Sequence, residues 1–324
     1  MASIKDVAGL AGVSVATVSR VLNDKGYVGQ STRENVEQAI KQLNYKPNEV
    51  ARSLFKKKSN TIGLIVPDIM NPFFTELARS VEDTATNLGY NVILCNSDGD
   101  SEKEQSYLEV LRQNYVNGII VSSNTLTANQ VEELNIPVVS IDREISKGLP
   151  TIVVENHKGA VLATQFLQSK GCTKIAHIRG TDGVVNAEER CSGYLEVVSN
   201  EPWFSDSCIV NGNFDMQSSI EATKELFMNH PDVDGIFAAN DIMAIGAIKV
   251  AHQLGKKVPE QIKIVGFDGI TLSTVMTPEL TTIVQPIYEL GEKATIVLVN
   301  QMEQQPLEKT YYRLDVELIE RNST

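Results

Sequence analysis

The stretch Ile4-Lys-Asp-Val-Ala-Gly-Leu-Ala-Gly-Val-Ser-Val-Ala-Thr-Val-Ser-Arg-Val-Leu-Asn23 decides how the N-terminal part of this chain folds. Ile4, Val7, Ala8 and Ala11 recur at helical spacing and share one face, and Gly12 follows as a C-terminal cap. Ser14 stands where it can cap a second helix reaching Leu22, with Val18, Val21 and Leu22 as the buried side. Two short helices around a glycine turn form a helix-turn-helix. Asn23-Asp-Lys-Gly26 reads as a turn, and Ser31 is placed to cap a third helix through about Leu43, buried through Val36, Ile40 and Leu43.

The second helix has the residues of a DNA reader. Val15 and Ala16 are small enough to let its N-terminus sit deep in a major groove, and Arg20, one turn beyond Ala16, carries donors suited to guanine O6 and N7. Ser14, Thr17 and Ser19 are short hydroxyl residues able to bond phosphates. The charge distribution agrees. Residues 1–58 hold ten Lys/Arg and five acids, a net +5, and the remainder holds 19 basic and 36 acidic groups, a net −17. A basic head on an acidic body turns the head toward a polyanion. Eight residues, 48–55, follow Pro47 and precede Lys56, Lys57 and Lys58. A helix that short is unstable alone, since isolated helices need roughly 12–15 residues, so it is expected to form only against a partner copy and DNA. Its Leu54 is of a type that wedges between base steps in the minor groove.

Ile4-Lys-Asp-Val-Ala8, Val13-Ser-Val-Ala-Thr-Val-Ser-Arg-Val-Leu-Asn23, Tyr45-Lys-Pro-Asn48 and Val50-Ala-Arg-Ser-Leu54 resemble the DNA-binding head of the lactose/galactose repressor family of bacterial transcription regulators. The resemblance implies a homodimer on palindromic operator DNA. Its DNA contacts would be Ser14, Val15, Ala16, Thr17, Ser19, Arg20, Asn23, Tyr45, Asn48, Ala51, Arg52 and Leu54, the last inserted at the central step by paired hinge helices.

From residue 60 onward, short β-branched runs alternate with amphipathic stretches. Strands are predicted at 61–66, 91–94, 118–121, 138–141, 152–154, 174–178, 208–210, 235–238, 263–266 and 281–284, with helices at 73–88, 103–114, 161–169, 187–199, 216–229, 242–253 and 287–302. This alternation calls for parallel sheets wound on both faces, and so long a segment calls for two of them. The expected organisation is a helix-turn-helix domain at 1–46, a hinge helix and linker at 47–59, and a two-lobed α/β body at 60–324. Lobe one is placed at about 60–158 plus 290–318, and lobe two at about 159–289.

Ligands of open α/β sheets bind beyond the C-terminal ends of the strands. Those ends carry Asn71-Pro-Phe-Phe74, Asp142-Arg143, Glu189-Arg190 after the sixth strand, Phe214-Asp215, Asn240-Asp241, Asp268 and Gln285. Aromatic faces with planar polar and charged groups suit a sugar, whose ring faces stack and whose hydroxyls bond in pairs. The body is similar to the sugar-binding periplasmic proteins, which share this fold with the repressor family, and most of all to the ribose-binding members of both. That likeness implies an effector set of Asn71, Phe73, Phe74, Asp142, Arg143, Arg190, Phe214, Asn240, Asp268 and Gln285.

A solute-binding protein feeding a transporter would be exported, and the N-terminus lacks the apolar run of a signal peptide, so a cytoplasmic protein is expected. A regulator of the catabolite-control type would take a phosphorylated phosphocarrier protein as co-effector; Pro67-Asp68 and Asn96-Ser-Asp98 resemble that type too, but it would not need a complete ring of sugar-bonding side chains. There is no dinucleotide or Walker glycine motif and no nucleophile elbow, so no enzyme is expected. Cys95, Cys172, Cys191 and Cys208 form no Cys-x-x-Cys pair and the four histidines are scattered, so neither a metal nor a cofactor is expected. Asn322-Ser-Thr324 carries no heptad tail, which favours a dimer over a tetramer.

Overall fold

A computed structural model describes residues 2–24, 26–45 and 59–324. The expected hinge helix, the lysine cluster and the contacts assigned to Asn48, Ala51, Arg52 and Leu54 lie outside the described residues. The chain divides into two units, Met1–Ser59 and Asn60–Thr324.

In the first unit, α1 (Ile4–Ala11) opens on a reciprocal cap: the Asp6 amide donates to the Ser3 side chain, and the Asp6 carboxylate accepts from the Ser3 amide. Gly12 ends the helix with φ 65°, a conformation that costs glycine little. Ser14 caps α2 (Val15–Asn23), its oxygen accepting from the Thr17 amide at 3.1 Å. α3 (Gln30–Gln42) starts on Gly29 with no side-chain cap bond, so Ser31 lies within the first turn and does not cap it, and Leu43 follows the last helical residue. Val7, Ala8, Val18, Val21, Val36 and Ala39 form the core of this unit, with Ile4, Ala11, Leu22, Ile40 and Leu43 packed around them.

The body is built from twelve strands. β1 (Thr61–Val66), β2 (Asn91–Asn96), β3 (Gly118–Val121), β4 (Val138–Ile141), β5 (Thr151–Val154) and β11 (Tyr311–Leu314) form one sheet; β6 (Ile175–Arg179), β7 (Ile209–Asn211), β8 (Gly235–Ala238), β9 (Lys263–Asp268), β10 (Thr281–Val284) and β12 (Glu317–Ile319) form the other. Their orders are β11-β5-β4-β3-β1-β2 and β12-β10-β9-β8-β6-β7. Every pairing is parallel except β10 with β12. Central strands such as β3 and β4 are buried along their whole length, which explains why they are apolar apart from Ser140, whose hydroxyl donates to the Arg143 carbonyl.

The helices are α4 (Pro72–Asn87), α5 (Ser101–Gln113), α6 (Ala128–Glu133), α7 (Asn156–Ser169), α8 (Val185–Val198), α9 (Met216–Asn229), α10 (Asp241–Gln253), α11 (Leu272–Val275) and α12 (Ile287–Met302). The largest core cluster runs from Ile62, Leu64 and Leu77 through Ile152 and Ala163 to Phe237, Phe267 and Ile283. Each of the larger aliphatic and aromatic side chains in it contributes roughly 1.5–3 kcal/mol by burial.

The lobe limits expected from the sequence need correction. α7 packs on strands of the second sheet and α12 on β3, β4 and β5 of the first. β12 pairs with β10, so residues 317 and 318 belong to the second lobe, and the chain crosses between lobes a third time at Asp315 and Val316. β11 and β12 are edge strands of four and three residues. Segments that short leave almost no periodic signal.

Candidate functional site

The strand ends of the first lobe supply Asn71, Phe73, Phe74, Asp142 and Arg143. Asn71 caps α4, its Oδ1 accepting from the Phe73 amide at 3.1 Å. Phe73 is buried, and its ring meets Phe74 edge-on with centroids 5.0 Å apart. Asp142 sits beyond β4 with φ 73° and accepts from the Ser122 hydroxyl at 3.2 Å. Burial pushes its carboxyl above the usual range, opposed by the charge of Arg190. Arg143 points elsewhere: Nε donates to the Ser123 carbonyl at 2.6 Å and a terminal nitrogen to the Leu126 carbonyl at 2.5 Å. Its guanidinium anchors the loop after β3.

The second lobe holds the denser cluster. Arg190, on α8, is 3% exposed, and its Cζ lies over the Phe267 ring, 3.8 Å from the centroid. Its Nε donates to Asn156 Oδ1 at 2.9 Å, and one terminal nitrogen donates to the Ala239 carbonyl at 2.6 Å and to Asp268 Oδ1 at 3.4 Å. The other terminal nitrogen makes no hydrogen bond among the described residues. Asp268 ends β9 with φ 116°, a strained conformation for a residue with a side chain. It also accepts from Gln285 Nε2 at 2.6 Å. Burial pushes its carboxyl up to about 7, with Arg190 and Gln285 pulling the other way. Gln285 Oε1 is buried without a partner among the described residues. An unpaired buried acceptor is costly unless a ligand or water completes it.

Asn240 caps α10 through the Met243 amide at 2.8 Å, and its Nδ2 donates to the Phe214 carbonyl at 3.3 Å. The Phe214 ring covers Gly180 so closely that a Cβ there would fall 2.2 Å from it, which is why only glycine fits. Asp241 accepts from the Gly269 and Ile270 amides at 2.8 and 2.9 Å and from the Thr282 hydroxyl at 2.5 Å. It fixes the loop that follows Asp268.

The fold thus joins Arg190, Asp268 and Gln285 in one bonded group and links Asn240 to Phe214. Asp142 reaches Arg190 through its charge, while Asn71, Phe73 and Phe74 stand at the opposing strand end without a direct bond to that group among the described residues. Sequence reasoning missed Asn156 and Ser122. Asn156 follows β5, so the strand-end rule applied to that strand would have found it.

In the head, Val15, Ala16 and Arg20 are exposed. The Ser14 and Thr17 hydroxyls lie 3.0 Å apart, and Asn23 Nδ2 donates to the Ser19 carbonyl at 2.8 Å. Tyr45 packs against the head core.

A helix-turn-helix unit attached to a two-lobed, doubly wound body with a polar cluster at its strand ends defines a ligand-binding protein with a DNA-reading head. Residues 3–48 match the family model described as bacterial regulatory proteins, lacI family, and residues 59–318 match that of periplasmic binding proteins and the sugar-binding domain of the LacI family. The chain belongs to the LacI family. It is 48% identical to the ribose operon repressor of Halalkalibacterium halodurans over 100% of this chain and 97% of that one. It is 38% identical to catabolite control protein A of Priestia megaterium over 99% of each. Among solved structures it is similar to the lac repressor dimer bound to operator and the anti-inducer ONPF (TM-score 0.87, 28% identity, covering 100% of this chain and 99% of that one). It is also similar to a LacI family regulator from Enterococcus faecium with bound ribose (TM-score 0.73, 29% identity, 82% and 98% covered).

Proposed function

We propose that this chain is a homodimeric repressor that holds a palindromic operator through its heads and releases it when ribose enters between the lobes. The observation that carries the reading is the Arg190–Asp268–Gln285 group. It offers a guanidinium nitrogen with no protein partner among the described residues, a carboxylate, and a buried amide oxygen without a donor. Adjacent sugar hydroxyls, each both donor and acceptor, match that set. Asp142 lies on the other lobe, so one ligand bonded to both would favour the closed arrangement. Closure alters operator affinity only through a difference in binding between the two states. The similarity to a ribose operon repressor along the full chain, and to a regulator with bound ribose, supports ribose over other sugars.

Ribose titrated into a complex of the full chain with operator, wild type beside Arg190→Ala, tests this. Wild type is expected to lose operator affinity and the variant to keep it. A wild type that does not respond to pentoses removes ribose, and an equal response from the variant removes the site. The likeness to catabolite control protein A keeps a second reading, in which a phosphorylated phosphocarrier protein is the co-effector. Calorimetry of the chain with pentoses separates the two, since that reading expects no heat from sugar.

A further inference from the structure

Asn156 stands where the chain first leaves lobe one. β5 ends at Val154, and Asn156 is the first residue of α7, which packs on β8, β9 and β10. Its side chain is 1% exposed, and both ends are used. Nδ2 donates to the Val154 carbonyl at 3.4 Å and to Glu189 Oε2 at 3.1 Å; Oδ1 accepts from Arg190 Nε at 2.9 Å. A polar residue at a helix start ordinarily bonds its own helix's amides, but this oxygen is turned onto the guanidinium of α8. The second crossing is built alike. The Gln285 amide donates to the Asp268 carbonyl at 2.9 Å, and its side chain donates to the Asp268 carboxylate at 2.6 Å. Two of the three crossings therefore place a buried amide side chain on opposite ends of one ion pair.

We infer that Asn156 is a positioning residue for the effector response, tying Arg190 to the first crossing so that a sugar engaging Arg190 and Asp268 acts on both crossings together. This rests on the reading of the site given above. A buried asparagine that merely fills space would change stability alone. One that transmits would also change how far the sugar shifts operator affinity.

The test uses the full chain with Asn156→Ala and with Asn156→Asp, which keeps an oxygen for Arg190. Three quantities are read: hydrogen exchange at the Arg190 Nε–H in protein with isotope-labelled arginine, ribose affinity, and the ratio of operator affinities without and with saturating ribose. Asn156→Ala is expected to speed the exchange, lower ribose affinity roughly ten- to a hundredfold, as loss of a bond to a charged group does, and bring the ratio toward one. Asn156→Asp is expected to keep slow exchange. Exchange unchanged in Asn156→Ala, or faster exchange with the wild-type ratio, overturns the inference. Should Asn156→Ala not fold, Asn156→Asp decides, and fast exchange there overturns it. If wild type ignores ribose, the ribose reading falls and the inference with it; a wild type that responds beside an Asn156→Ala that responds equally overturns the inference alone.

Discussion

Glu76 on the first lobe accepts from both the backbone N–H and the hydroxyl of Thr271 on the second, at 3.0 and 2.9 Å. Thr271 lies three residues beyond Asp268, and the two amides between them are fixed on Asp241. One short, pinned loop thus carries a cleft carboxylate at one end and an interlobe bond at the other. Glu76→Ala should loosen the closed arrangement and lower ribose affinity about three- to tenfold, on the scale of ~1 kcal/mol per hydrogen bond. Scattering from the sugar-free chain should show a larger radius of gyration for the variant. Equal radii and equal affinities would show that the bond only decorates the rim.

Asp268 makes stability depend on pH in an unusual direction. Its carboxyl titrates near 7 when folded against 3.8 ordinarily, because burial disfavours the charge. Between those values the folded chain holds a proton that the unfolded chain has released, so this stabilisation is complete below about 4 and is lost as pH rises through about 7. His177 slopes the other way. Buried and with its pKa lowered to about 3 by desolvation, it favours folding above 6.5 and less as pH falls below that. Asp268→Asn should therefore remove its share of the loss toward neutral pH, so that the melting temperature falls less, or rises more, between pH 4 and 7 than in wild type, with His177 opposing what Asp142 and Asp241 still contribute. An unaltered profile would place the effect elsewhere, for example at Asp241, whose carboxyl burial also raises well above its ordinary range.

Arg20 is exposed in the last turn of α2. Arg20→Ala is expected to cost roughly 1–3 kcal/mol on operator DNA and to relax preference at one symmetric position. Binding to operator and to random duplexes at several salt concentrations measures both. Equal losses on the two DNAs would make Arg20 a phosphate contact instead.

Much of the candidate site is legible in the sequence because each strand end is announced locally: an apolar run stops and a polar or aromatic residue follows, as at Asp142, Asn240, Asp268 and Gln285. Arg143 and Arg190 show where that rule stops. Arg143 stands two residues beyond β4 and Arg190 within α8, yet the first is spent on the carbonyls of Ser123 and Leu126 and the second is bonded to Asp268. Which acceptor a guanidinium takes depends on the residues brought within reach, and those lie 17 to 78 positions away.

The helix-turn-helix, the alternation of strands and helices, and the residue types at the strand ends all follow from periodicity over a few residues, since burial of one face imposes its repeat on neighbouring positions. Strand order, the third crossing through β12 and the joining of Asn156 to Arg190 follow from pairings between distant segments. These reflect competition for shared partners in a packed interior, and no local repeat records its outcome.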